Sequence, residues 1–309
     1  MNRCPITYEL CEQKYSKKGL SLLSRHLDDL NDFPYTPKEQ IQLAAQLASK
    51  LSIQGVQPKL SVTLNVKQKV FEIKEKGGRY IVKPPHPLYD ELPQNEDLSM
   101  KLAATIGIEV PVHGMMYNID GSLSYFIQRF DRLAKNQKVA VEDFSQLLGC
   151  SRDTKYESSM ERVVSVIEKH CTFPAIEKKK LLRLVLFNFL IGNEDMHLKN
   201  FSLIRREDKV ELSPTYDLVN TTIILRGTEE IALPLKGKKS KLTPSDLIDY
   251  FALERLRIVP SLVEKQLLQL KEALPIWEAL IGSSFLSSAM RTSYKDLLYQ
   301  RMQRLQNPQ

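Results

Sequence analysis

Residues 192–200 read Gly-Asn-Glu-Asp-Met-His-Leu-Lys-Asn. They directly follow Leu181–Ile191, the longest strongly apolar stretch of the chain, whose spacing predicts a buried helix. Such a helix would deliver a polar loop in which Asp195 and Asn200 stand five positions apart. Carboxylate and amide oxygens are hard ligands of the kind that Mg²⁺ takes from proteins. We expect this loop to carry the chemistry of the protein.

The spacing of the two residues is that of the D-x-x-x-x-N catalytic loop of protein kinases. In that loop the Asp receives the proton of the substrate hydroxyl and the Asn holds a magnesium ion. A second carboxylate is then required downstream, and Asp217 is the candidate. The hairpin-like pattern from Phe201 to Leu212 would return the chain beside Asn200. Taken alone, a loop Asp is more often a turn former or a helix cap.

Two upstream segments stand in the order expected of a kinase. Lys83 ends the predicted strand Tyr80–Lys83, like the kinase lysine that contacts ATP phosphates, and Glu96 on the following helix is its candidate partner. A lone strand lysine is more often a charge on the solvent side. The loop Ser52–Lys59 lacks the three glycines of a protein-kinase phosphate loop. Its one glycine, Gly55, still allows a tight turn with backbone N–H groups aimed at phosphate.

Apolar periodicity separates a strand-rich half of the chain from a helical half. In the first half it predicts a helix over 36–50, a helix over Asn95–Ile106, and strands at Leu60–Leu64, Val70–Lys74, Tyr80–Lys83, Val112–Tyr117 and Leu123–Ile127. Residues 76–79 are expected to form a hairpin turn. Beyond about residue 132 it predicts helices at Glu161–Lys169, Ile176–Ile191, Pro244–Ala252, Ser261–Ala273 and Tyr294–Gln306. We predict an α+β fold with two lobes, residues 1–130 and residues 131–309.

Composition places the chain among ordinary globular proteins. Its 309 residues are 42% hydrophobic and 26% charged, which argues against long disordered segments. The stretch Leu181–Ile191 is shorter than the about 20 residues that span a bilayer, and the amino terminus lacks the apolar core of a signal peptide. Four cysteines without metal-like spacing are typical of a reducing compartment. We therefore expect a soluble, cytoplasmic protein.

Several of these segments together resemble the HipA family of bacterial serine/threonine kinase toxins. The resemblance covers about residues 37–256 and is carried by Ser52–Lys59, Ile81–Lys83, Tyr125–Arg132, Glu142–Phe144, Lys155–Glu157, Asn193–Ser202, Tyr216–Asp217 and Leu233–Leu242. It implies a bilobal protein-kinase-like fold and an ATP-dependent toxin of a toxin–antitoxin system. Family members usually carry a further amino-terminal subdomain. The chain therefore looks most like the short HipT type, in which that subdomain is a separate small protein.

The resemblance also implies a role for each candidate residue. Asp195 would be the catalytic base, and Lys199 would neutralise the transferring phosphoryl group. Asn200 and Asp217 would bind Mg²⁺. Ser52 matches the loop serine that these kinases autophosphorylate. The residues expected to contact or cover ATP are Ser52, Gly55, Val56, Gln57, Lys59, Lys83, Gln128, Phe130, His197, Asn200 and Asp217.

Family members phosphorylate aminoacyl-tRNA synthetases, so the resemblance implies such a substrate and a block of translation. The expected partners are the cognate antitoxin and a small protein equivalent to the absent subdomain, with DNA reached only through the antitoxin. A small-molecule or lipid kinase shares the same catalytic parts, and a catalytically silent scaffold in a repressor complex stays open. The basic run Lys236–Lys241 could bind DNA directly, although such runs are usually a solvated face.

Overall fold

A computed structural model describes residues 1–47, 57–133, 137–151, 154–225 and 227–306. The chain divides into two compact units whose segments interleave. Unit 1 comprises Met1–Leu98, Pro111–Gln137 and Ser283–Ser287, and unit 2 comprises Ser99–Val110, Lys138–Gly282 and Ser288–Gln309. Whether residues 1–130 and 131–309 are separate domains stays a prediction.

Unit 1 contains an antiparallel sheet with the strand order β4-β3-β5-β7-β6. Its elements in chain order are β1 (Asn2–Arg3), β2 (Leu10–Cys11), α1 (Lys17–Leu23), α2 (Pro37–Leu47), β3 (Leu60–Asn65), β4 (Val70–Ile73), β5 (Tyr80–Lys83), the first half of α3 (Leu92–Thr105), β6 (His113–Tyr117) and β7 (Leu123–Gln128). The five strands and two of the helices therefore lie within a few residues of their predicted places.

The predicted hairpin turn at residues 76–79 is wrong. Strands β4 and β5 do not pair with each other, because they lie on opposite sides of β3. Glycine is required at position 78 for a different reason. A Cβ atom there would lie 2.8 Å from the backbone nitrogen of Val62 and would overlap the Ser61 hydroxyl. Gly78 thus marks a close approach to β3, which the sequence pattern cannot distinguish from a turn.

The amino-terminal residues, which the sequence pattern left largely unassigned, share the core of the sheet. Cys4, Ile6, Leu20 and Phe33 are buried in one apolar cluster with β3, β5 and β7. A capping box forms at the start of α2. The Thr36 N–H donates to Glu39 Oε2 at 2.8 Å, and the Glu39 N–H faces Thr36 Oγ1 at 3.4 Å.

A buried polar network ties α2 to the β6–β7 hairpin. Gln40 Nε2 donates to Asn118 Oδ1 at 2.9 Å and to the Tyr35 carbonyl at 3.0 Å. The Ser124 hydroxyl lies 3.0 Å from both Gln40 Oε1 and Asn118 Oδ1. Gln40, Asn118 and Ser124 are fully buried. Because each polar atom has exchanged water for a partner in the network, loss of one member leaves another unsatisfied.

We expect Gln40→Leu to lower the free energy of unfolding by about 1–3 kcal/mol, the cost of leaving buried polar groups unpaired. Urea denaturation measures it. Gln42→Leu makes the same chemical change at an exposed position of α2 and should stay within about 0.5 kcal/mol of the parent. Equal effects of the two changes would contradict the assigned role of the network.

Unit 2 is mainly helical and carries a small antiparallel sheet with the order β10-β9-β8. Its elements are the second half of α3, β8 (Val141–Asp143), α4 (Phe144–Leu147), α5 (Met160–His170), α6 (Pro174–Ile191), β9 (Ser202–Arg206), β10 (Lys209–Leu212), α7 (Thr222–Leu225), a π-helix (Ser245–Arg255), α8 (Pro260–Glu272), α9 (Leu274–Ser283) and α10 (Ser288–Gln306). The segment predicted as an α-helix over 244–252 is therefore π-helical.

Helix α6 forms the centre of unit 2. From Leu181 to Ile191 every side chain except that of Arg183 is buried. Trp277 of α9 is also fully buried, and its ring meets Phe187 edge-on at 5.7 Å. Its indole N–H donates to Thr105 Oγ1 at 2.7 Å, so its one polar atom is satisfied. Across the described ranges, each helix is too short or too polar to cross a lipid bilayer.

Candidate active site

Residues 192–200 are the catalytic-loop candidate. It begins at Gly192, directly after the end of α6. Gly192 adopts a left-handed conformation with φ of 74°, which favours glycine over other residues. A Cβ atom at this position would lie 2.5 Å from the Leu297 side chain and 2.7 Å from Thr222 Oγ1. The Gly192 carbonyl accepts the Thr221 hydroxyl at 3.1 Å, and Thr222 Oγ1 lies at the same distance from it. Both the conformation and the space therefore require glycine, and they turn the chain sharply into the loop.

A chain of side-chain amides fixes the start of the loop to α6. Asn188 Nδ2 donates to the Leu184 carbonyl, and Asn193 Nδ2 donates to Asn188 Oδ1, both at 2.8 Å. Asn193 Oδ1 in turn accepts the backbone N–H of Asp195 at 3.1 Å. These hydrogen bonds fix the backbone of Asp195 relative to the buried helix α6.

The side chain of Glu194 points to α7 instead. Its Oε1 accepts the Thr222 hydroxyl at 2.6 Å, and its backbone N–H donates to Thr221 Oγ1 at 2.7 Å. Burial raises the pKa of the Glu194 carboxyl. Glu194 and Asp195 are adjacent carboxylates with different surroundings, and Glu194 is engaged in holding the loop.

A hydrogen bond joins the Asn200 side chain to the backbone of Asp195. Asn200 Nδ2 donates to the Asp195 carbonyl at 2.8 Å, across a single 3₁₀ turn formed by Leu198–Asn200. Because the amide nitrogen is used in this bond, the amide oxygen is the atom left to bind a cation. Asn200 is buried, whereas Asp195 is partly exposed.

The predicted hairpin is confirmed, since β9 and β10 pair from Leu203–Leu212 to Arg206–Lys209. After β10 the Tyr216 hydroxyl donates to the Lys199 carbonyl at 2.9 Å and lies 2.6 Å from Ser202 Oγ. Burial raises the pKa of Tyr216. Asp217 follows in a left-handed conformation with φ of 55°. The tyrosine thus attaches the segment that carries Asp217 to the catalytic-loop candidate.

His197 is held inside the loop by a lysine from a distant part of the sequence. Its Nε2 lies 2.7 Å from Lys155 Nζ. Burial lowers the pKa of His197, and the Lys155 charge adds to this effect against the opposing charges of Asp195 and Asp217. A lysine ammonium can only donate, so Nε2 is the acceptor and a neutral ring carries its proton on Nδ1. His197 therefore serves the loop as a neutral hydrogen-bond acceptor.

In unit 1 the predicted Lys83–Glu96 pair is present and buried. Lys83 Nζ lies 2.6 Å from Glu96 Oε1, and the two side chains are 6% and 0% exposed. A second buried pair follows on α3, where Asp97 Oδ1 lies 2.9 Å from His113 Nδ1. The Tyr125 ring lies 5.7 Å from Lys83 Nζ. Charges this deeply buried persist only when paired, so the strand lysine is not a solvent-side charge.

The described residues among the remaining candidates for nucleotide contact lie at or near the ends of strands. Gln57 and Lys59 are partly buried just before β3, and Phe130 is partly buried after β7. Gln128 ends β7, and its N–H donates to the Val112 carbonyl at 2.8 Å. Ser52, Gly55 and Val56 lie outside the described residues. The roles of all these residues stay predictions.

The oxygen donors of Asn200 and Asp217 are of the chemical kind that a magnesium ion takes. Within the described residues, no group of three or more His, Cys, Asp or Glu side chains is arranged to hold a metal. A cation at the loop would instead take the Asn200 amide oxygen and an Asp217 carboxylate oxygen. Two hard oxygens with water completing the shell are what Mg²⁺ accepts, because it dehydrates reluctantly.

Two of the four lysines in the basic run 236–241 are paired with carboxylates. Lys238 Nζ lies 3.0 Å from Asp246, Lys239 Nζ lies 3.4 Å from Glu229, and Lys236 Nζ lies 5.2 Å from the Tyr250 ring. These contacts favour a solvated, locally paired face over a surface that binds DNA directly.

Sequence reasoning missed Tyr156 as a site residue. Its hydroxyl donates to Asp195 Oδ1 across a separation of 39 residues. The available signal was the segment Lys155–Glu157, which entered the family resemblance without a role. A contact at this separation leaves no periodicity in the sequence.

Residues 51–277 match the HipA-like C-terminal domain family. Since this match spans more than half of the chain, the protein belongs to the HipA-like family, as predicted.

The chain is similar to two proteins of known sequence and to one solved structure. The chain is 33% identical over 230 residues to "Putative kinase Y4dM" of Sinorhizobium fredii, covering 69% of this chain and 56% of that protein. It is 31% identical over 210 residues to the serine/threonine-protein kinase toxin HipA of Shewanella oneidensis, covering 60% and 47%. The chain thus spans about half the length of these two relatives.

The solved structure is that of Shewanella oneidensis MR-1 HipA in complex with HipB and its operator DNA. The TM-score is 0.69 at 22% identity, over 90% of this chain and 72% of that chain. This likeness confirms the predicted fold class.

Proposed function

We propose that this chain is an ATP-dependent serine/threonine protein kinase that acts in the cytoplasm as the toxin of a bacterial toxin–antitoxin system. The observation that carries the proposal is the loop after α6, where Asn200 is hydrogen-bonded to the Asp195 backbone. The buried Lys83–Glu96 pair supports it, as does membership of a family that includes a kinase toxin.

In the proposed reaction an acceptor serine or threonine hydroxyl attacks the γ-phosphorus of ATP. A new P–O bond forms, the bond to ADP breaks, and the hydroxyl proton passes to the Asp195 carboxylate. Lys199 neutralises charge on the transferring group, and Lys83 contacts the nucleotide phosphates. Catalysis of this kind is mostly positioning and electrostatics, which agrees with a loop whose backbone is fixed at several points.

Asn200 and Asp217 would hold magnesium, which when bound supplies positive charge against the phosphate oxygens. His197 is buried, and its Nδ1 has no hydrogen-bond partner in the described part of the chain. A neutral His197 would carry a proton on this atom, so it is a donor suited to a phosphate oxygen. This supports the place of His197 among the nucleotide contacts. The other proposed contacts are Gly55, Val56, Gln57, Lys59, Gln128 and Phe130.

The proposed protein substrate is an aminoacyl-tRNA synthetase, whose phosphorylation would stop translation. The proposed partner is a cognate antitoxin through which DNA is reached, because the similar HipA is described in complex with HipB and operator DNA. The paired charges of residues 238 and 239 agree with such indirect contact. A separate small partner equivalent to the family's extra subdomain stays a prediction.

We further propose that Ser52 is autophosphorylated. A phosphate adds about −1.5 to −2 charge at neutral pH. In the position proposed for Ser52, next to the ATP phosphates, this charge would repel the nucleotide or draw the loop towards basic groups such as Lys59. Either effect lowers ATP affinity, so the modification would limit the enzyme's own activity.

The test is incubation of the purified chain with labelled ATP, Mg²⁺ and a bacterial lysate. We expect label on the chain itself and on one or a few lysate proteins, and mass spectrometry should find phosphate on Ser52. Label on small molecules or lipids alone would favour a small-molecule kinase. Absence of both ATP consumption and label would favour a silent scaffold and contradict the proposal.

A further inference from the structure

Two consecutive residues contact the catalytic-loop candidate at several points. The Tyr156 hydroxyl donates to Asp195 Oδ1, and the Tyr156 ring meets the His197 ring edge-on at 5.1 Å and 81°. Lys155 Nζ lies 2.7 Å from His197 Nε2, and the Lys155 carbonyl accepts the Leu198 N–H at 3.3 Å. We call Lys155 and Tyr156 the loop clamp.

The two residues of the loop clamp also contact each other. Lys155 Nζ lies 4.8 Å from the centre of the Tyr156 ring, within the range of a cation–π contact. The lysine therefore touches both aromatic rings next to Asp195. Burial and the adjacent Asp195 carboxylate raise the pKa of Tyr156. The phenol accordingly stays protonated and acts as the donor to that carboxylate.

We infer that the loop clamp positions the Asp195 carboxylate for phosphoryl transfer, with Tyr156 as a positioning residue for the base. The inference rests on the proposed function, in which Asp195 accepts the proton of the acceptor hydroxyl. The backbone bonds of the loop fix where the Asp195 main chain lies. They do not restrain rotation about the Cα–Cβ and Cβ–Cγ bonds of its side chain, and the Tyr156 hydroxyl bond restricts this rotation.

The Asp195 carboxylate has two oxygens, and the proposed arrangement gives each a separate partner. Oδ1 is taken by Tyr156, which leaves Oδ2 for the proton of the acceptor. A base held in one orientation needs no reorganisation when the acceptor arrives, and misplacement by about 1 Å can cost about 10²-fold in rate. The clamp adds no group to the reaction itself. Its effect should therefore appear in the rate of transfer and not in nucleotide binding.

The test compares Tyr156→Phe with Tyr299→Phe in the full-length chain. Each change removes one hydroxyl that donates to a carboxylate, since Tyr299 on α10 donates to Glu278 on α9. With labelled ATP and lysate protein as acceptor, Tyr156→Phe should lower the rate at saturating ATP by about 10- to 100-fold. The ATP concentration for half-maximal rate should change by less than about 2-fold. Tyr299→Phe should leave both quantities unchanged.

Two further measurements separate positioning from general weakening. In an Asp195→Asn background the Tyr156→Phe change should have no additional effect, because the two residues act as one unit. Hydrogen exchange of peptides covering residues 193–200 should become faster in Tyr156→Phe and stay unchanged in Tyr299→Phe. An unchanged rate, or a loss of ATP affinity equal to the loss of rate, would overturn the inference. A higher rate would also overturn it, since the hydroxyl would then occupy the acceptor's place.

Failure of the proposed function is distinguishable from failure of the clamp. If the unmodified chain transfers no phosphoryl group, the proposed function fails. The exchange measurement still decides whether Tyr156 orders the loop, because it needs no activity. Unchanged exchange in Tyr156→Phe then overturns the clamp, and faster exchange supports it.

Discussion

Replacing Asp195 by asparagine is expected to lower phosphoryl transfer by about 10²–10⁴-fold, the usual contribution of a positioned general base. Asparagine keeps the size of the side chain, and its amide oxygen can still accept the Tyr156 hydroxyl. The backbone bonds to Asn193 and Asn200 do not involve the replaced atoms. The loop should therefore keep its structure while losing the group that takes the proton. Initial rates with labelled ATP measure the change.

The control is Asp208→Asn, the same chemical change at an exposed position in the β9–β10 turn of the same unit. It should leave the rate within about 2-fold of the parent. Calorimetric binding of Mg²⁺–ATP and the melting temperature should be similar in all three proteins. Retention of more than about a tenth of the parent rate by Asp195→Asn would remove Asp195 from the role of base. If the chain is a toxin, the same variant should also relieve growth arrest.

Short-range patterns predicted the parts of the site that depend on neighbours in sequence. The apolar run of α6 and the spacing of Asp195 and Asn200 predicted the loop, because a buried helix and a tight turn are local structures. The Lys83–Glu96 contact was predicted from the order of protein-kinase motifs, and it is found at 2.6 Å. The return of the chain through β9 and β10 followed from two apolar stretches separated by a turn.

Features that depend on distant partners left no such pattern. Gly78 was interpreted as a turn former, whereas the structure places it against β3. The tie between Gln40 and Asn118 joins residues 78 positions apart, and the contact of Tyr156 with Asp195 joins residues 39 positions apart. A buried glutamine and an exposed tyrosine look ordinary in sequence, because their roles are set by what the fold brings beside them.

The second prediction concerns the buried ion pair of unit 1. Lys83→Met is expected to lower the free energy of unfolding by about 3–5 kcal/mol, because it leaves the Glu96 carboxylate buried without its lysine. It should also abolish phosphoryl transfer, since the proposed contact to the ATP phosphates is lost. Urea denaturation and the labelled-ATP assay measure the two effects separately. Lys74→Met is the control, because Lys74 pairs with Glu72 at 3.0 Å while 46% exposed. It should cost at most about 1 kcal/mol.

The double variant Lys83→Met with Glu96→Gln separates the structural effect from the functional one. Removing the second charge takes away most of the burial penalty, so stability should recover by at least about half of the loss. Activity should not recover, because no cation remains on β5 to meet the nucleotide. Recovery of activity together with stability would mean that Lys83 serves the fold alone and is no part of the nucleotide site. A Lys83→Met protein as stable as Lys74→Met would instead show that the carboxylate finds another partner, and the 2.6 Å contact would then contribute little to stability.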